Sequence, residues 1–416
     1  MKKIILGVVG VTAVFGLALF VAQTNLSAAP AHDQTNDRIP GQYIVVLKDT
    51  QDSEVTAGEL ARSHGLGLGH VYKNALKGFS ASIPENKLQA LKNDPRVEFV
   101  SEDRRVSTFA QTLPSGINRI DAEKTVTHTN KGTGINVAII DTGIDLKHPD
   151  LKVNIAGGKN CSTGRSFTDG NGHGTHVAGT VAALANGVGV VGVAPEAKLW
   201  AVRVLDNNGS GTWSSVICGI DFVTANAPAN GGPITVANMS LGGSGTSDNN
   251  CGNTNNDALH KAICRSRDAG VTYVVAAGNS AANAGSFVPA AYDDAVITVS
   301  ALADSNGQPG GGGPATSNGA DDTFATFSNY GSVVDLGAPG VNILSTWKGS
   351  SYNTISGTSM ASPHVAGAAA LYINKNPGST WTQVRDGLKA LAEALGAGHT
   401  DPSGKYPEPV VKVESL

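Results

Sequence analysis

The chain has 416 residues, of which 30 are Lys or Arg and 34 are Asp or Glu, so its formal net charge is −4. Because basic residues are not in excess, the composition argues against a protein held on nucleic acid by phosphate contacts. Hydrophobic residues make up 40% and charged residues 15%, which excludes disorder over most of the chain.

Residues 1–31 have the pattern of a secretory signal peptide. A pair of lysines precedes an almost unbroken apolar run over residues 4–21, and Ala29-Pro30-Ala31 supplies small residues for a cut before His32. A signal anchor is the alternative, because the run approaches the ~20 residues that span a bilayer. The small residues after the run favour cleavage, which predicts a secreted, extracellular protein with no stable membrane association.

The following segment, residues 32–109, has the features of a small α+β domain. Residues 42–106 carry more charge and less glycine than the rest of the chain. Alternating and apolar runs predict strands at 43–47, 79–83 and 97–100, with a weak strand near Val71. Helices are predicted at 55–64 and after Pro84, since proline is favoured in the first turn of a helix. Residues 104–109 then form a linker.

The remaining segment, residues 110–416, alternates short apolar strands with helices. The strands are predicted at 135–140, 199–205, 234–239, 271–276, 295–300 and 333–336. The helices are predicted at 175–185, 213–225, 257–269 and 359–374. Fully apolar strands of this length are typical of a mostly parallel sheet buried on both faces, which predicts a three-layer α/β fold. Residues 304–322 read as a long surface loop.

The chain has four cysteines, at 161, 218, 251 and 264. An even count in an exported protein predicts two disulfides, for which three pairings are possible. The paired Cys-x-x-Cys spacing of a zinc site is absent from the sequence. Because Cys264 lies in a predicted helix and Cys251 in the loop leading into it, proximity favours Cys251–Cys264 and therefore Cys161–Cys218.

Two motifs suggest chemistry that their context does not support. Residues 187–192 match Gly-x-Gly-x-x-Gly, but a dinucleotide site needs this motif between a strand and a helix, and here it follows a helix. Asp141-Thr142-Gly143 matches the triplet of aspartic proteases, whose mechanism needs two such carboxylates. The chain has no second triplet, so only a homodimer could work in this way.

Three further features together predict a nucleophilic triad. Asp141 ends a buried strand, His173 opens the motif His-Gly-Thr-His-Val-Ala-Gly, and Ser359 lies in Gly-Thr-Ser-Met-Ala-Ser-Pro-His. A serine hydroxyl is a poor nucleophile until a base takes its proton, and a histidine can do this near neutral pH. A buried aspartate can orient that histidine and stabilise its imidazolium.

These motifs, in the order Asp, His, Ser, resemble the three signatures of the subtilisin family of serine proteases. The resemblance covers nearly all of residues 110–374. It also includes the segments 193–195, 240–243, 276–279 and 338–340. Residues 32–109 resemble the ferredoxin-like propeptide of that family, which acts as an inhibitor and folding chaperone.

The resemblance implies that Ser359 attacks the peptide carbonyl and that His173 is the general base and then the general acid. Asp141 would orient His173. Asn279 matches the family's oxyanion donor and would act with the backbone N–H of Ser359 at a helix N-terminus. His176 and His364 match structural positions of the motifs.

The resemblance also places the substrate cleft. Ser240, Leu241 and Gly242 match one strand that pairs with extended substrate, and Gly209, Ser210 and Gly211 match the facing strand. Gly242, Ala276 and Gly278 match a pocket of small groups that is open to a large side chain. A second apolar pocket would be formed by Leu205, Trp213, Val216 and Leu241, although Val216 could equally be an ordinary core residue.

Calcium is the cofactor that the resemblance implies. The oxygen ligands would be Gln111, Asp150, Asn186 and the carbonyls of Leu184, Val188 and Val190. This loop contains the glycines of the Gly-x-Gly-x-x-Gly motif. Asp304, Asp321 and Asp322 could bind a second calcium, but charges clustered in a loop favour a solvated surface.

The expected function is a secreted serine endopeptidase that acts on polypeptides, is made as a proenzyme with its own propeptide as inhibitor, and works as a monomer. If Gln111 is a calcium ligand, the mature chain begins just before it, at Ala110. Phe109 then precedes the cut, and Val106 lies three residues upstream. These positions predict a preference for a large apolar or aromatic residue before the scissile bond. A catalytically silent binding protein on the same fold is the alternative.

Overall fold

A computed structural model describes residues 38–104, 111–393, 399, 403–404 and 408–416. The predicted signal peptide and the predicted processing site at Phe109 and Ala110 lie outside these residues. The chain divides into two compact units, Met1–Thr108 and Phe109–Leu416. No helix within the described ranges combines the length and apolarity needed to cross a bilayer.

The first unit is a four-stranded antiparallel sheet with two helices, as predicted. Its elements in chain order are β1 (Arg38–Leu47), α1 (Ser53–His64), β2 (Gly67–Tyr72), β3 (Gly78–Ser82), α2 (Glu85–Lys92) and β4 (Val97–Arg104). The strand order is β2-β3-β1-β4. The core lies on one face of the sheet, where Val45, Phe79 and Leu60 are fully buried.

The second unit begins with two short helices and then alternates strands with helices. Its first half contains α3 (Ser115–Arg119), α4 (Ala122–His128), β5 (Asn136–Asp141), β6 (Ile155–Asn160), α5 (His173–Ala182), β7 (Lys198–Arg203), α6 (Trp213–Ala225), β8 (Ile234–Met239), β9 (Gly243–Ser244) and α7 (Ala258–Asp268). Its second half contains β10 (Thr272–Ala276), β11 (Phe287–Val288), β12 (Ile297–Ala303), β13 (Thr323–Phe324), β14 (Leu336–Pro339), β15 (Ile343–Trp347), β16 (Ser351–Ile355), α8 (Thr358–Lys375) and α9 (Trp381–Leu391).

The main sheet has eight strands in the order β13-β12-β10-β8-β5-β7-β6, with β14 also paired to β12. All neighbours are parallel except β12 and β13. In a parallel sheet the carboxyl ends of the strands share one edge, where ligand sites of α/β proteins gather. Because β5 is central, Asp141 at its carboxyl end lies at the middle of this edge.

Hydrophobic side chains cover both faces of the main sheet, as the continuous apolar strands predict. One core packs α5, α8 and α9 against the sheet, and the other packs α6 and α7 against the opposite face. Helix α8 is buried along nearly its whole length and packs on β8, β10, β12 and α5. The three-layer prediction is therefore confirmed.

Both predicted disulfides are present. Cys161–Cys218 joins the end of β6 to α6, and Cys251–Cys264 joins a surface loop to α7. The described residues contain no free cysteine.

Several elements were not predicted because their sequences lack a clear apolar period. Strand β6 contains Gly157, whose hydrogen faces the Trp200 ring so closely that a side chain would clash. The hairpin β15–β16 is partly polar, with β15 mostly buried and β16 without a fully buried residue. The prediction of a strand at 333–336 was displaced, since β14 begins at Leu336. Residues 408–416 lie beside β14 through a parallel bridge between Gly337 and Val410.

Candidate active site

The aspartate and the histidine of the predicted triad are in contact. Asp141 is fully buried at the end of β5, and His173 is the first residue of α5. His173 Nδ1 lies 2.8 Å from Asp141 Oδ1 and 3.0 Å from Oδ2, while the imidazole keeps 25% of its side chain exposed. This contact fixes Nδ1 as the donor and leaves Nε2 free to accept a proton.

The environment of His173 favours its charged form. Burial opposes the charge, but the neighbouring carboxylate of Asp141, and then that of Asp169, outweigh it and raise the pKa of His173 above 6.5. By contrast, burial lowers the pKa of His176 and of His364 to about 4. His176 donates from Nε2 to the carbonyl of Ile343, so it has a structural contact of its own.

Ser359 is the second residue of α8 and is partly exposed, although its neighbours Thr358 and Met360 are buried. Its hydroxyl donates to the carbonyl oxygen of Ser240 over 3.3 Å. The Ser240 hydroxyl in turn donates to the Ser359 carbonyl at 2.8 Å. As a first-turn residue, Ser359 has a backbone N–H with no acceptor one turn earlier in its helix.

Asn279 lies in the loop after β10, and its side chain is oriented by Thr358. The Oδ1 atom of Asn279 accepts from the backbone N–H of Thr358 at 2.8 Å and from its hydroxyl at 2.9 Å. The Nδ2 end of the amide is therefore directed away from these donors. Gly278, with φ of 106°, allows the chain to turn here.

A cleft of about 890 Å³ extends from His173 across the predicted substrate strands. Its walls include the following predicted residues: Leu205, Gly209, Ser210, Gly211, Trp213, Val216, Ser240, Leu241 and Gly242. Val216 lines this cleft and is also a core residue with only 2% exposure, and its place in a substrate pocket stays a prediction. Ala276 and Gly278 do not line this cleft, and their pocket remains a prediction.

The six predicted calcium ligands lie together around Gln111. Its Nε2 atom donates to the carbonyl oxygens of Leu184 at 2.5 Å, Val190 at 3.0 Å and Val188 at 3.3 Å. Three carbonyl oxygens therefore converge on one atom, as they do around a hard cation.

The remaining two ligands are in contact with each other beside these carbonyls. Asp150 is fully buried and accepts from Asn186 Nδ2 at 2.8 Å. Burial raises the pKa of Asp150, although the carboxylate also accepts from the backbone N–H of Val190 at 2.9 Å and from the Tyr352 hydroxyl at 3.2 Å. Gly189, with φ of 61°, brings the loop so close to Asp150 that a side chain would clash, which accounts for the middle glycine of the motif.

The acidic residues of the 304–322 loop contradict the expectation of a solvated surface. Asp304, Asp321 and Asp322 are 1%, 6% and 3% exposed, because the loop folds over them and donates backbone N–H groups. Asp322 accepts from the buried guanidinium of Arg119 at 2.7 Å. Burial raises the pKa of Asp304 to about 7.

Sequence reasoning missed two residues of the site. Thr358 was seen only as part of the serine motif, and Asp169 was not singled out. Asp169 nevertheless lies four residues before His173 in Asp-Gly-Asn-Gly-His, where a carboxylate can accept from the first N–H groups of a helix. That spacing is the signal that could have found it.

Comparison with known proteins agrees with this geometry. Residues 132–404 match the model of the subtilase family, and residues 42–109 match that of peptidase inhibitor I9. Subtilisin E of Bacillus subtilis is 38% identical over 397 residues, which cover 93% of this chain and 94% of that protein. An alkaline protease of Alkalihalobacillus alcalophilus is 42% identical over 326 residues, covering 78% and 76%.

A solved structure gives the same result. The crystal structure of a cold adapted subtilisin-like serine proteinase superposes with a TM-score of 0.56 and 36% sequence identity, covering 68% of this chain and 90% of that one. The chain therefore belongs to the subtilase family of serine proteases and carries an inhibitor I9 domain before its protease domain.

Proposed function

We propose that the chain is the precursor of a secreted, calcium-stabilised serine endopeptidase. Residues 1–31 are the signal peptide, 32–109 the inhibitory propeptide, and 110–416 the catalytic domain. The observation that carries this proposal is the contact of His173 with buried Asp141 at the same sheet edge as Ser359 and Asn279.

Acyl transfer follows from these residues. Ser359 Oγ attacks the peptide carbonyl while His173 Nε2 takes its proton, and Asp141 stabilises the imidazolium that forms. The negative oxygen of the intermediate accepts from Asn279 Nδ2 and from the backbone N–H of Ser359. The C–N bond then breaks as His173 returns the proton to the leaving amine. Water attacks the acyl-enzyme by the same steps in reverse.

The substrate is an extended polypeptide that lies between residues 209–211 and 240–242. Main-chain hydrogen bonds to these two segments supply affinity, and the side-chain pockets supply preference. Leu205, Trp213 and Leu241 form the apolar wall of the cleft. Trp213 is 38% exposed there and provides contact area for an aliphatic side chain. We propose that a large apolar or aromatic residue precedes the cut and that the enzyme acts as a monomer.

The residues around Gln111 fit a calcium ion. Asp150, Asn186 and three converging carbonyls are oxygen donors, and rotation of the Gln111 amide would present its Oε1 in place of Nε2. A bound ion would neutralise the buried Asp150 carboxylate and hold the loop after α5 against the start of the mature chain. Its contribution is to stability, and no step of the reaction passes through it.

Covalent labelling tests the proposed function. A serine-directed fluorophosphonate should modify the mature enzyme at Ser359, with loss of peptide hydrolysis in proportion to labelling. The Ser359→Ala variant should remain unlabelled, uncleaved and inactive, with activity at least ~10⁴-fold below wild type. A folded wild-type protein that resists the reagent and hydrolyses no peptide would instead support the catalytically silent alternative.

A further inference from the structure

Asp169 is a buried carboxylate beside the active site that has no part in the reaction described above. Its exposure is 7%, and it precedes α5 by four residues. Its two oxygens accept five hydrogen bonds. Oδ1 accepts from the Thr142 hydroxyl at 2.9 Å and from the backbone N–H groups of Asn171 and Gly172 at 2.8 and 2.9 Å. Oδ2 accepts from the backbone N–H and hydroxyl of Thr175, at 3.0 and 2.7 Å.

These hydrogen bonds reach the chain on both sides of His173. Gly172 precedes the histidine, and Thr175 follows it by two residues. Gly174, the next residue, donates its backbone N–H to the Thr142 hydroxyl at 2.9 Å, and that hydroxyl donates to Asp169. The Asp169 carboxylate therefore holds the backbone on both sides of His173.

The Asp169 carboxylate is also connected to Asp141, the residue that contacts His173. Thr142 directly follows Asp141, and its backbone N–H donates to Asp141 Oδ1 at 2.7 Å. The Thr142 side chain thus joins the residue after Asp141 to both Asp169 and Gly174. A displacement of Asp169 would shift Asp141 and His173 relative to each other.

We infer that Asp169 is a positioning residue for proton transfer, which aligns Asp141 with His173 and adds a second negative charge beside the imidazole. This inference rests on the proposed function. Asp169 forms no bond with the substrate and takes up no proton. The proton moves from Ser359 Oγ to His173 Nε2 and then to the leaving amine, and Asp169 stabilises the intervening imidazolium.

The charged groups around His173 support this role. Asp141 faces it from the end of β5, Asp169 from the preceding loop, and His176 from the next turn of α5. His176 in turn faces His364 of α8, and the pKa of each is lowered to about 4. Both imidazoles are therefore neutral above pH 5. In that range we expect the ionisation of His173 to set the acid limb of kcat/KM.

The test compares pH profiles of kcat/KM for wild type and two variants on one peptide substrate. In Asp169→Asn, which keeps the size of the side chain and removes its charge, we expect the acid limb to move to lower pH by about 0.5 unit. We also expect kcat to fall about tenfold with KM within twofold, because alignment rather than binding is lost. Asp169→Glu restores the charge and should return the acid limb toward that of wild type.

Asp145→Asn is the matched control. Asp145 is also a buried carboxylate, at 8% exposure, and accepts from the backbone N–H groups of Lys147, Gly349 and Ser350. Its loss should lower Tm without moving the acid limb. The inference is overturned if Asp169→Asn moves the acid limb no more than Asp145→Asn does.

A second variant covers the case in which Asp169→Asn does not fold. Thr142→Val keeps the Asp169 charge and removes the hydroxyl that joins it to Gly174, so kcat should fall while the acid limb stays in place. An unchanged kcat in a folded Thr142→Val enzyme would overturn the inference that Asp169 aligns Asp141 with His173 through Thr142. Wild-type enzyme that is inactive and unlabelled would contradict the proposed function itself. Failure of the proposed function is thus distinguished from failure of the inference about Asp169.

Discussion

Thr358 holds the Asn279 side chain by two hydrogen bonds to a single atom, Oδ1, one from its backbone N–H and one from its hydroxyl. An amide held in this way keeps its Nδ2 donor on the side away from Thr358. Thr358, the residue before the proposed nucleophile, therefore orients the side chain of the proposed oxyanion donor.

This contact predicts a graded loss of catalysis. Asn279→Leu should lower kcat by ~10²–10³, the size known for the corresponding donor in subtilisin itself, with little change in KM. Thr358→Val removes one of the two orienting bonds and should lower kcat by roughly tenfold. Single-turnover kinetics on an ester and a peptide measure both. Equal kcat for Thr358→Val and wild type would show that the backbone bond suffices.

Calcium removal should destabilise the mature enzyme and speed its self-digestion. A ligand that binds only the folded state adds RT ln(1 + [L]/Kd), about 2.7 kcal/mol at one hundred times Kd. We expect EDTA to lower Tm and restored Ca²⁺ to recover it. Asp150→Asn should have a lower Tm that no longer responds to Ca²⁺, whereas Asp386→Asn, a surface change, should respond as wild type. A Ca²⁺-independent wild-type Tm would refute the site.

The two disulfides should contribute unequally. Cys161–Cys218 closes a loop of 57 residues and Cys251–Cys264 one of 13, so the chain-entropy estimate favours the first by about 1 kcal/mol. Replacing each pair by serines in the inactive Ser359→Ala protein and measuring urea unfolding gives both free energies. A larger loss from the 251–264 pair would mean that loop entropy is not the dominant effect.

Stability should fall with rising pH because of Asp304. Its folded pKa, about 7, exceeds that of an unfolded Asp near 3.8, so the folded state binds more protons between these values. The contribution is complete below pH 4 and is lost as pH rises through 7, by at most about 1.4 kcal/mol per pH unit. Asp304→Asn should gain stability over wild type between pH 4.5 and 7.5 in urea unfolding, whereas a constant difference would contradict the shift.

Processing should occur between Phe109 and Ala110. A cut there places Gln111 next to the new N-terminus, where it can reach the carbonyls of Leu184 and Val190. N-terminal sequencing of the secreted enzyme should therefore begin at Ala110. In a peptide series, Phe before the cut and an aliphatic residue three positions earlier should give the highest kcat/KM. Preference for Arg or Lys before the cut would refute the proposed pocket.

The fold was predictable because its signals are local, and the motifs from which the triad is proposed are local too. Strands such as β5 and β8 are continuous apolar runs, and the residues around Asp141, His173 and Ser359 form specific motifs. What the sequence could not supply depends on contacts between distant segments. The burial of Asp304 follows from the path of a glycine-rich loop, and the edge strand β6 owes its glycine to the Trp200 ring.

The same limit applies to residues that act through others. The spacing of Asp169 before His173 is a weak signal, and its contact with Thr142, which follows β5, depends on the fold. The orientation of Asn279 likewise depends on Thr358, which lies 79 residues away in the chain. Hydrogen-bond partners of this kind are set by the folded backbone.

The burial of α8 affects how well each enzyme molecule resists digestion by other copies of itself. A folded protease is cut at exposed loops or where its backbone opens locally, and segments with few buried contacts open most often. Helix α8 carries Ser359 at its first turn and lies in the core for most of its 18 residues. Displacing Ser359 together with its helix therefore requires opening of the core that α8 forms with α5 and one face of the main sheet. Molecules that lose activity by this route are therefore the same molecules that become open to digestion.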